Sequence, residues 1–488
     1  MRFVDRVLPP SMVLCLGALT FAQPTPQLNG PPILKLPRLR VVRVNPPPET
    51  VGFDRAAHVS ITFNRAVDPA TLSPSSLHVL GRWSGPVAGQ FVLSNGGRTV
   101  TFVRSRGFSA GEAVFVNVAR QVRAIEGDAL GTPYAFTFWA RSDAAPMTFT
   151  HTQTLLPGRI PYGAHGGDLD DDGDLDLAVP NEDSSNVSVF LNVGGDTFVG
   201  PTNYGVGFHC SPSEGLDLNG DGIVDLVVAN ILDHNVSVLI GRGDGTFLPQ
   251  RQYPVGNQPR GLTVFDVDGD GDADVITANR QSSNLSLLIN RGDGTFEKQI
   301  PFEAGVGGET GVAAADMNGD GLFDLVVVGY SSSEIATLLG DGNGGFSFHT
   351  KRASLSRPWM VVCGDVNGDS IPDAAAAISG AGRGEIFLGD GVGGLDSSGS
   401  YPVGSFPIAI DLGDLDGDGD LDMTVSSYSS RRFTVFRNLG GGVFSEAARL
   451  STPGAGSCTV LHDRDGDGIV DLTGIDEVAD LVRLYRQP

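Results

Sequence analysis

Residues 168–176 read DLDDDGDLD. Carboxylates stand at the first, third, fifth and ninth positions, with a glycine at the sixth. The pattern D-x-[DN]-x-D-G-x-x-D, with one Ser in place of Gly, begins again at Asp217, Asp266, Asp316, Asp365, Asp414 and Asp463. Counted from Asp168, the spacings are 49, 49, 50, 49, 49 and 49 residues. Such regularity marks structural repeats. Each copy runs into a short apolar stretch, as in 176–181 DLAVPN, 225–230 DLVVAN and 274–279 DVITAN. Most continue through a second β-rich stretch, such as 186–192 NVSVFLN, then a Gly-rich turn that usually ends in Phe. Another short strand leads back to the next motif. Four short strands per copy is the scale of a propeller blade. The sequence therefore predicts an all-β chain with a seven-bladed β-propeller over 147–488. The last copy has three strands before Pro488, and 147–151, MTFTH, lies ahead of the first motif. That orphan strand is expected to complete the last blade and remove a free sheet edge.

The motif itself predicts a metal cage. Hard oxygen donors without His or Cys suit Ca²⁺, and Mg²⁺ prefers a smaller octahedral shell with retained water. The expected ligands are Asp168, Asp170, Asp172 and Asp176 in the first copy, and Asp217, Asn219, Asp221 and Asp225 in the second. Asp266, Asp268, Asp270 and Asp274 form the third set, and Asp316, Asn318, Asp320 and Asp324 the fourth. Asp365, Asn367, Asp369 and Asp373 form the fifth, Asp414, Asp416, Asp418 and Asp422 the sixth, and Asp463, Asp465, Asp467 and Asp471 the seventh. Up to seven Ca²⁺ sites are expected. The fifth should bind weakest, since Asn367 replaces a carboxylate and Ser370 stands where the loop needs Gly. An EF-hand needs a Glu at position twelve and flanking helices; here that position is Val179 or Val228, inside a predicted strand.

The charge balance agrees. The chain has 488 residues and a formal net charge of −24. The motifs hold 29 of the 57 acidic residues, and the remaining 28 are outnumbered by 33 basic ones. The negative excess therefore sits in the loops, where it calls for cations. An acidic chain is a poor nucleic-acid binder. No apolar run reaches the ~20 residues of an integral membrane span. Four Cys are no disulfide framework; Cys210, Cys363 and Cys458 occupy different offsets in the repeats and are expected to be free buried thiols.

Outside the repeats, residues 1–22 carry Arg2 and Arg6, an apolar run and a small-residue end at 20–22, TFA. They read as a secretory signal peptide, which implies a secreted or cell-surface protein. Residues 23–38 are a Pro-rich linker. Residues 39–142 alternate apolar and polar through 59–63 VSITF, 99–103 TVTFV and 134–138 YAFTF, the mark of an antiparallel β-sandwich.

Together the motifs resemble the FG-GAP/VCBS repeats, the calcium-binding propeller blades also found in integrin α-subunit heads. Residues 39–142 resemble the bacterial SbsA-type Ig-like domain, a spacer or presentation module. The resemblance implies fold and metal, and says little about function, because one fold hosts many functions.

Several motifs are decoys. GFSAG at 107–111 matches a nucleophile elbow, but a strand follows Gly111 where a helix is required. GxGxxG at 340–345 and 389–394, RGD at 242–244 and 291–293, and the sequons at Asn186, Asn235 and Asn284 are all inherited by the repeat. The face opposite the acidic loops should carry Arg159, Tyr162, His209, Arg260, Glu309, Arg357, Trp359 and Phe406, with Asp233, His234, Arg280, Tyr330, Tyr428, Arg431 and Arg432. Such a rim fits a carbohydrate or protein ligand. His165, Glu214 and Asp411 share an offset three residues before the motif and would line the axis. With no catalytic constellation in view, the expectation is a non-catalytic binding or adhesion protein. An extracellular polysaccharide lyase or hydrolase and a passive display scaffold are the alternatives.

Overall fold

The computed structural model describes residues 36–488, so the expected signal peptide and nearly all of the Pro-rich linker lie outside the described residues. Among those residues nine four-stranded sheets form, and the only helical turns are two short 3-10 segments. No helix there is long and apolar enough to cross a membrane.

Two sheets build the N-terminal domain. One orders Val41–Asn45, Val59–Phe63, Thr99–Arg104 and Gly89–Ser94; the other orders Gly85–Pro86, Leu77–Gly81, Ala113–Val118 and Tyr134–Trp139. Period-two alternation sends Val59, Ile61, Phe63, Val100 and Phe102 inward against Val114, Val116, Val118, Phe136 and Phe138.

The other seven sheets follow the repeat. In the second, Cys210–Leu216, Asp225–Asn230, Asn235–Leu239 and Arg251–Pro254 pair antiparallel in chain order. The second strand of all seven is buried on both faces, which explains its continuous apolar run. The seventh sheet joins Gly456–His462, Asp471–Asp476 and Leu481–Arg486 to a strand from before the first motif. That strand is Thr150–Leu155, a few residues beyond the expected 147–151, because Met147 is instead buried in the core beside Leu415 and Val470.

Neighbouring sheets meet through their first strands, and the first strand of the seventh sheet also meets that of the first. Each sheet also sends one hydrogen bond to the backbone oxygen of motif position two in the sheet before it. Gly245, Gly344 and Gly393 donate backbone N–H to Leu169, Val267 and Met317. The side-chain amides of Asn290, Asn438 and Gln487 donate to Leu218, Val366 and Leu415. Asn192 of the first sheet donates to Arg464 of the seventh at 2.9 Å, so the series returns to its start.

Candidate functional site

Every acidic loop joins the first strand of its sheet to the second. Its carboxylates first organise the loop itself. In the second loop Asp217 accepts the N–H of Gly220 and Gly222, and Asp221 accepts that of Ile223. The ninth residue does more than the motif suggested. Asp225 Oδ2 accepts Leu218 N–H at 3.0 Å and Oδ1 accepts Gly241 N–H at 2.7 Å, pinning loop and hairpin together. Asp176, Asp274, Asp324, Asp373 and Asp422 repeat both bonds. Position six has positive φ throughout: 85° at Gly222, and 67° at Ser370, where a side chain is strained.

Among the described residues, three-carboxylate groupings form in the four all-Asp loops. Oxygens of Asp168, Asp170 and Asp176 lie within 4.8 Å of one another, as do those of Asp266, Asp268 and Asp274, and of Asp414, Asp416 and Asp422. The seventh loop groups Asp463, Asp465 and Asp467 instead. Asp172, Asp270, Asp418 and Asp471 stand outside these groups. In the Asn loops, the amides of Asn219, Asn318 and Asn367 turn their N–H toward Asp221, Asp320 and Asp369. The donor set fits a hard cation. Asp170 Oδ1 is buried without a hydrogen-bond partner. Burial also pushes the carboxyls of Asp176 and Asp422 up to about 8 and that of Asp225 up to about 7, despite their backbone donors.

The Ig-like domain lies over these loops, which the sequence did not foretell. Arg106 pairs with Asp168 at 2.5 Å, and Asn117 donates to Asp266 at 2.5 Å. Ala135 N–H reaches Gly321 O, Ser142 Oγ reaches Asp414 O, and Asp143 N–H reaches Gly468 O. The turn 81–85 enters among the inner strands. Arg82 pairs with Asp411 at 2.8 Å and also feels the charge of Glu214. Trp83 packs between the rings of His165 and His462, at 6.1 and 5.9 Å. Burial, then Arg82, pushes His165 down to about 3, so the ring is neutral. His165, Glu214 and Asp411 therefore receive this turn. A cavity of about 220 Å³ remains beside it, lined by Glu49, Phe115, Glu214, Phe265, Met360 and Asp411 among others.

First strands end at the acidic loops, so their starts lie at the opposite face. There Trp359 is only 8 % exposed. Its indole donates to the Tyr162 hydroxyl at 2.7 Å, and Tyr330 meets it edge-on at 5.3 Å. The Arg280 guanidinium lies 4.5 Å from the Tyr330 ring and 5.3 Å from Trp359. Phe406 and Tyr428 extend the aromatic row. Glu182, which the sequence reading missed, pairs with His209 at 2.8 Å and Arg260 at 3.6 Å. Glu477, also missed, accepts from the Tyr428 hydroxyl. Both follow a second strand directly, a register the repeat could have flagged. The expected rim is thus a packed cluster drawn from several sheets.

Burial, then the charge of Glu182, pushes the Glu477 carboxyl up to about 8. An unfolded Glu ionises near ~4.3. Between these values the native state binds more protons, so this group's contribution to stability falls as pH rises. Glu477→Gln is therefore expected to melt above wild type at pH 8.5, with the gap closing toward pH 4. Scanning calorimetry across pH checks this, and equal melting at pH 8.5 contradicts it.

The decoys resolve as turns. Asp244 accepts Thr246 N–H within its turn, and Asp293 does the same for Thr295. Ser109 N–H donates to Glu112, and the strand Ala113–Val118 follows, so no elbow forms. Cys210, Cys363 and Cys458 are free; Cys210 is buried and the other two half-buried.

Sheets of one pattern, each carrying an acidic loop, behind an Ig-like domain define a class of β-repeat protein. Residues 217–277, 266–327, 316–376, 365–425 and 414–473 match the FG-GAP-like repeat, and 37–140 match a bacterial Ig-like domain. The chain belongs to the FG-GAP-like repeat family. No curated protein matches it. Among solved structures, BBS1N in complex with ARL6DN is 12% identical, with 70% of this chain and 97% of that chain covered and a TM-score of 0.52. This is a likeness of fold alone. A virginiamycin B lyase from Staphylococcus aureus (12% identity, 69% and 98% covered, TM-score 0.45) is more distant. So is an Agrocybe aegerita lectin recognising non-reducing terminal N-acetylglucosamine (19%, 77% and 94%, TM-score 0.42).

Proposed function

We propose that the protein is a secreted, non-catalytic binding or adhesion protein of the cell surface or matrix. Its repeat region is read as a closed seven-bladed β-propeller, supported by the cyclic contacts and the returning hydrogen bonds. Ca²⁺ would be held by the acidic loops, with Asp168, Asp170 and Asp176, Asp266, Asp268 and Asp274, and Asp414, Asp416 and Asp422 as the principal donors. Bound there, it would supply the positive charge these crowded carboxylates lack. The observation that carries the binding reading is the division of faces. The Ig-like domain covers the acidic loops, and the opposite face presents Tyr330 and Phe406 with Arg260, Arg280 and Arg357, packed around the buried Trp359. Aromatic faces with guanidinium groups suit an extracellular carbohydrate or protein ligand.

Glycan and extracellular-protein arrays in Ca²⁺ test this. Arg280→Ala combined with Trp359→Ala is expected to weaken capture of any ligand found by about thirtyfold if each anchor contributes ~1 kcal/mol. Capture unchanged by the double substitution removes this face from consideration. The juxtaposed buried carboxylates Glu182 and Glu477 favour one second reading, a polysaccharide-cleaving enzyme with Glu477 as the protonated partner. Bond cleavage that Glu477→Gln abolishes would establish it.

A further inference from the structure

We propose that the seventh acidic loop, 463–471, is not a Ca²⁺ site but an ionic latch made with arginines, which holds the closing sheet without metal. The proposal rests on the calcium reading of the other loops. Position two of the motif is apolar in six copies: Leu169, Leu218, Val267, Met317, Val366 and Leu415. In the seventh it is Arg464, whose side chain is 0% exposed. Its guanidinium lies 3.3 Å from Asp471 Oδ2. In six loops the ninth-position Oδ2 accepts the N–H of position two; in the seventh a positive charge faces it. Nη1 also donates to Thr473 Oγ1 at 3.1 Å and Nη2 to Tyr485 O at 3.1 Å. Nε and Nη2 then reach both oxygens of Asp196, at 2.9 and 3.3 Å. Asp196 belongs to the turn between Asn186–Asn192 and Phe198–Gly205, so this fork ties the seventh sheet to the first.

The remaining carboxylates meet two further arginines. Arg486, which ends the last strand, pairs with Asp465 at 2.6 Å and Asp467 at 2.9 Å. Arg55 of the Ig-like domain stands 4.0 Å from Asp463. All four expected ligands thus face a guanidinium. No other all-Asp loop does this. The first has one such pair, Arg106 with Asp168, and the sixth has one, Arg437 with Asp416. The gathering of Asp463, Asp465 and Asp467 is explained by Arg486 sitting against two of them. A divalent cation would have to expel Arg486 and then sit beside the buried charge of Arg464, which has no route to solvent. Repulsion at such a distance in a low-dielectric interior opposes entry.

The place of this loop gives the substitution its sense. The seventh sheet joins Thr150–Leu155 to Leu481–Arg486. A latch built from the chain's own ions keeps that junction shut when Ca²⁺ falls, while the other loops respond to it.

The test is site-resolved. Crystals of the full protein are exchanged into terbium, and an anomalous difference map is calculated. Peaks are expected at the loops beginning at Asp168, Asp266 and Asp414, with none at 463–471. A peak at 463–471 overturns the proposal while leaving the calcium reading intact. No peak at any loop overturns the calcium reading and this proposal with it. Arg464→Leu with Arg486→Gln is expected to gain one Ca²⁺ per chain in equilibrium dialysis, and a folded double variant without that gain also overturns it. Should the double variant fail to fold, the wild-type map alone decides.

Discussion

Transfer from millimolar Ca²⁺ into chelator is expected to lower the melting temperature by about 8 °C. A ligand that binds only the folded state at a hundred times its Kd stabilises by about 2.7 kcal/mol per site. Three loops with gathered carboxylates, those beginning at Asp168, Asp266 and Asp414, then contribute about 8 kcal/mol. Residues 38–488 form one compact unit. At ~2.1 cal/mol/K per residue its unfolding entropy is about 1 kcal/mol/K, which converts the loss into the stated shift. Unfolding outright is not expected, because in six loops the ninth-position carboxylate binds two backbone N–H groups of the protein itself, as Asp225 does, and these bonds do not depend on a metal. Calorimetry in Ca²⁺ and in chelator measures the shift, and identical melting in both sinks the calcium reading. Asp268→Asn should reduce the chelator response by about a third while leaving the chelated protein nearly unchanged.

The repeat made the sheets legible because one local rule is written seven times. An acidic turn, a doubly buried strand and a Gly turn need no distant information, and Asp225–Asn230 and its equivalents fall where the apolar runs stand. The sandwich was legible for the same reason, through alternation at Val59, Ile61 and Phe63. Docking of the sandwich on the loops was not. Arg82 and Asp411 are 329 residues apart and share no period, so nothing local announces their pairing. Within the loops, the pattern showed which residues carry oxygen but not what each oxygen already holds. Asp225 looks like a ligand in sequence and is also a staple in space. Arg464 was visible as a break at position two, but counting only carboxylates gives the seventh loop the same rank as the first. Trp359 read as one rim residue among many, and only the packing of several sheets shows it buried against Tyr162.

Glu112→Ala should be the most damaging single change in the Ig-like domain. Glu112 is 0% exposed, and burial raises its carboxyl above the ordinary range. Oε2 accepts the N–H of Trp83 and of Ser84, each at 2.9 Å; Oε1 accepts Ser84 Oγ and Ser109 N–H, each at 2.7 Å. Removing this acceptor leaves buried donors with no partner, at about 1–3 kcal/mol each, or roughly 5 kcal/mol in sum. By the same entropy of about 1 kcal/mol/K, melting should fall by about 5 °C. The loss reaches beyond the sandwich, because the turn it shapes carries Arg82 and Trp83 among the inner strands. Asp411 is 3 % exposed and would stay buried without its guanidinium. Glu112→Gln keeps the volume but turns an N–H₂ toward backbone donors, so it should fall between alanine and wild type. Calorimetry orders the three proteins, and tryptophan fluorescence should shift to the red in Glu112→Ala as Trp83 leaves His165 and His462. Alanine melting within 1 °C of wild type, or an unshifted emission, would show that the turn holds its shape and its dock without Glu112.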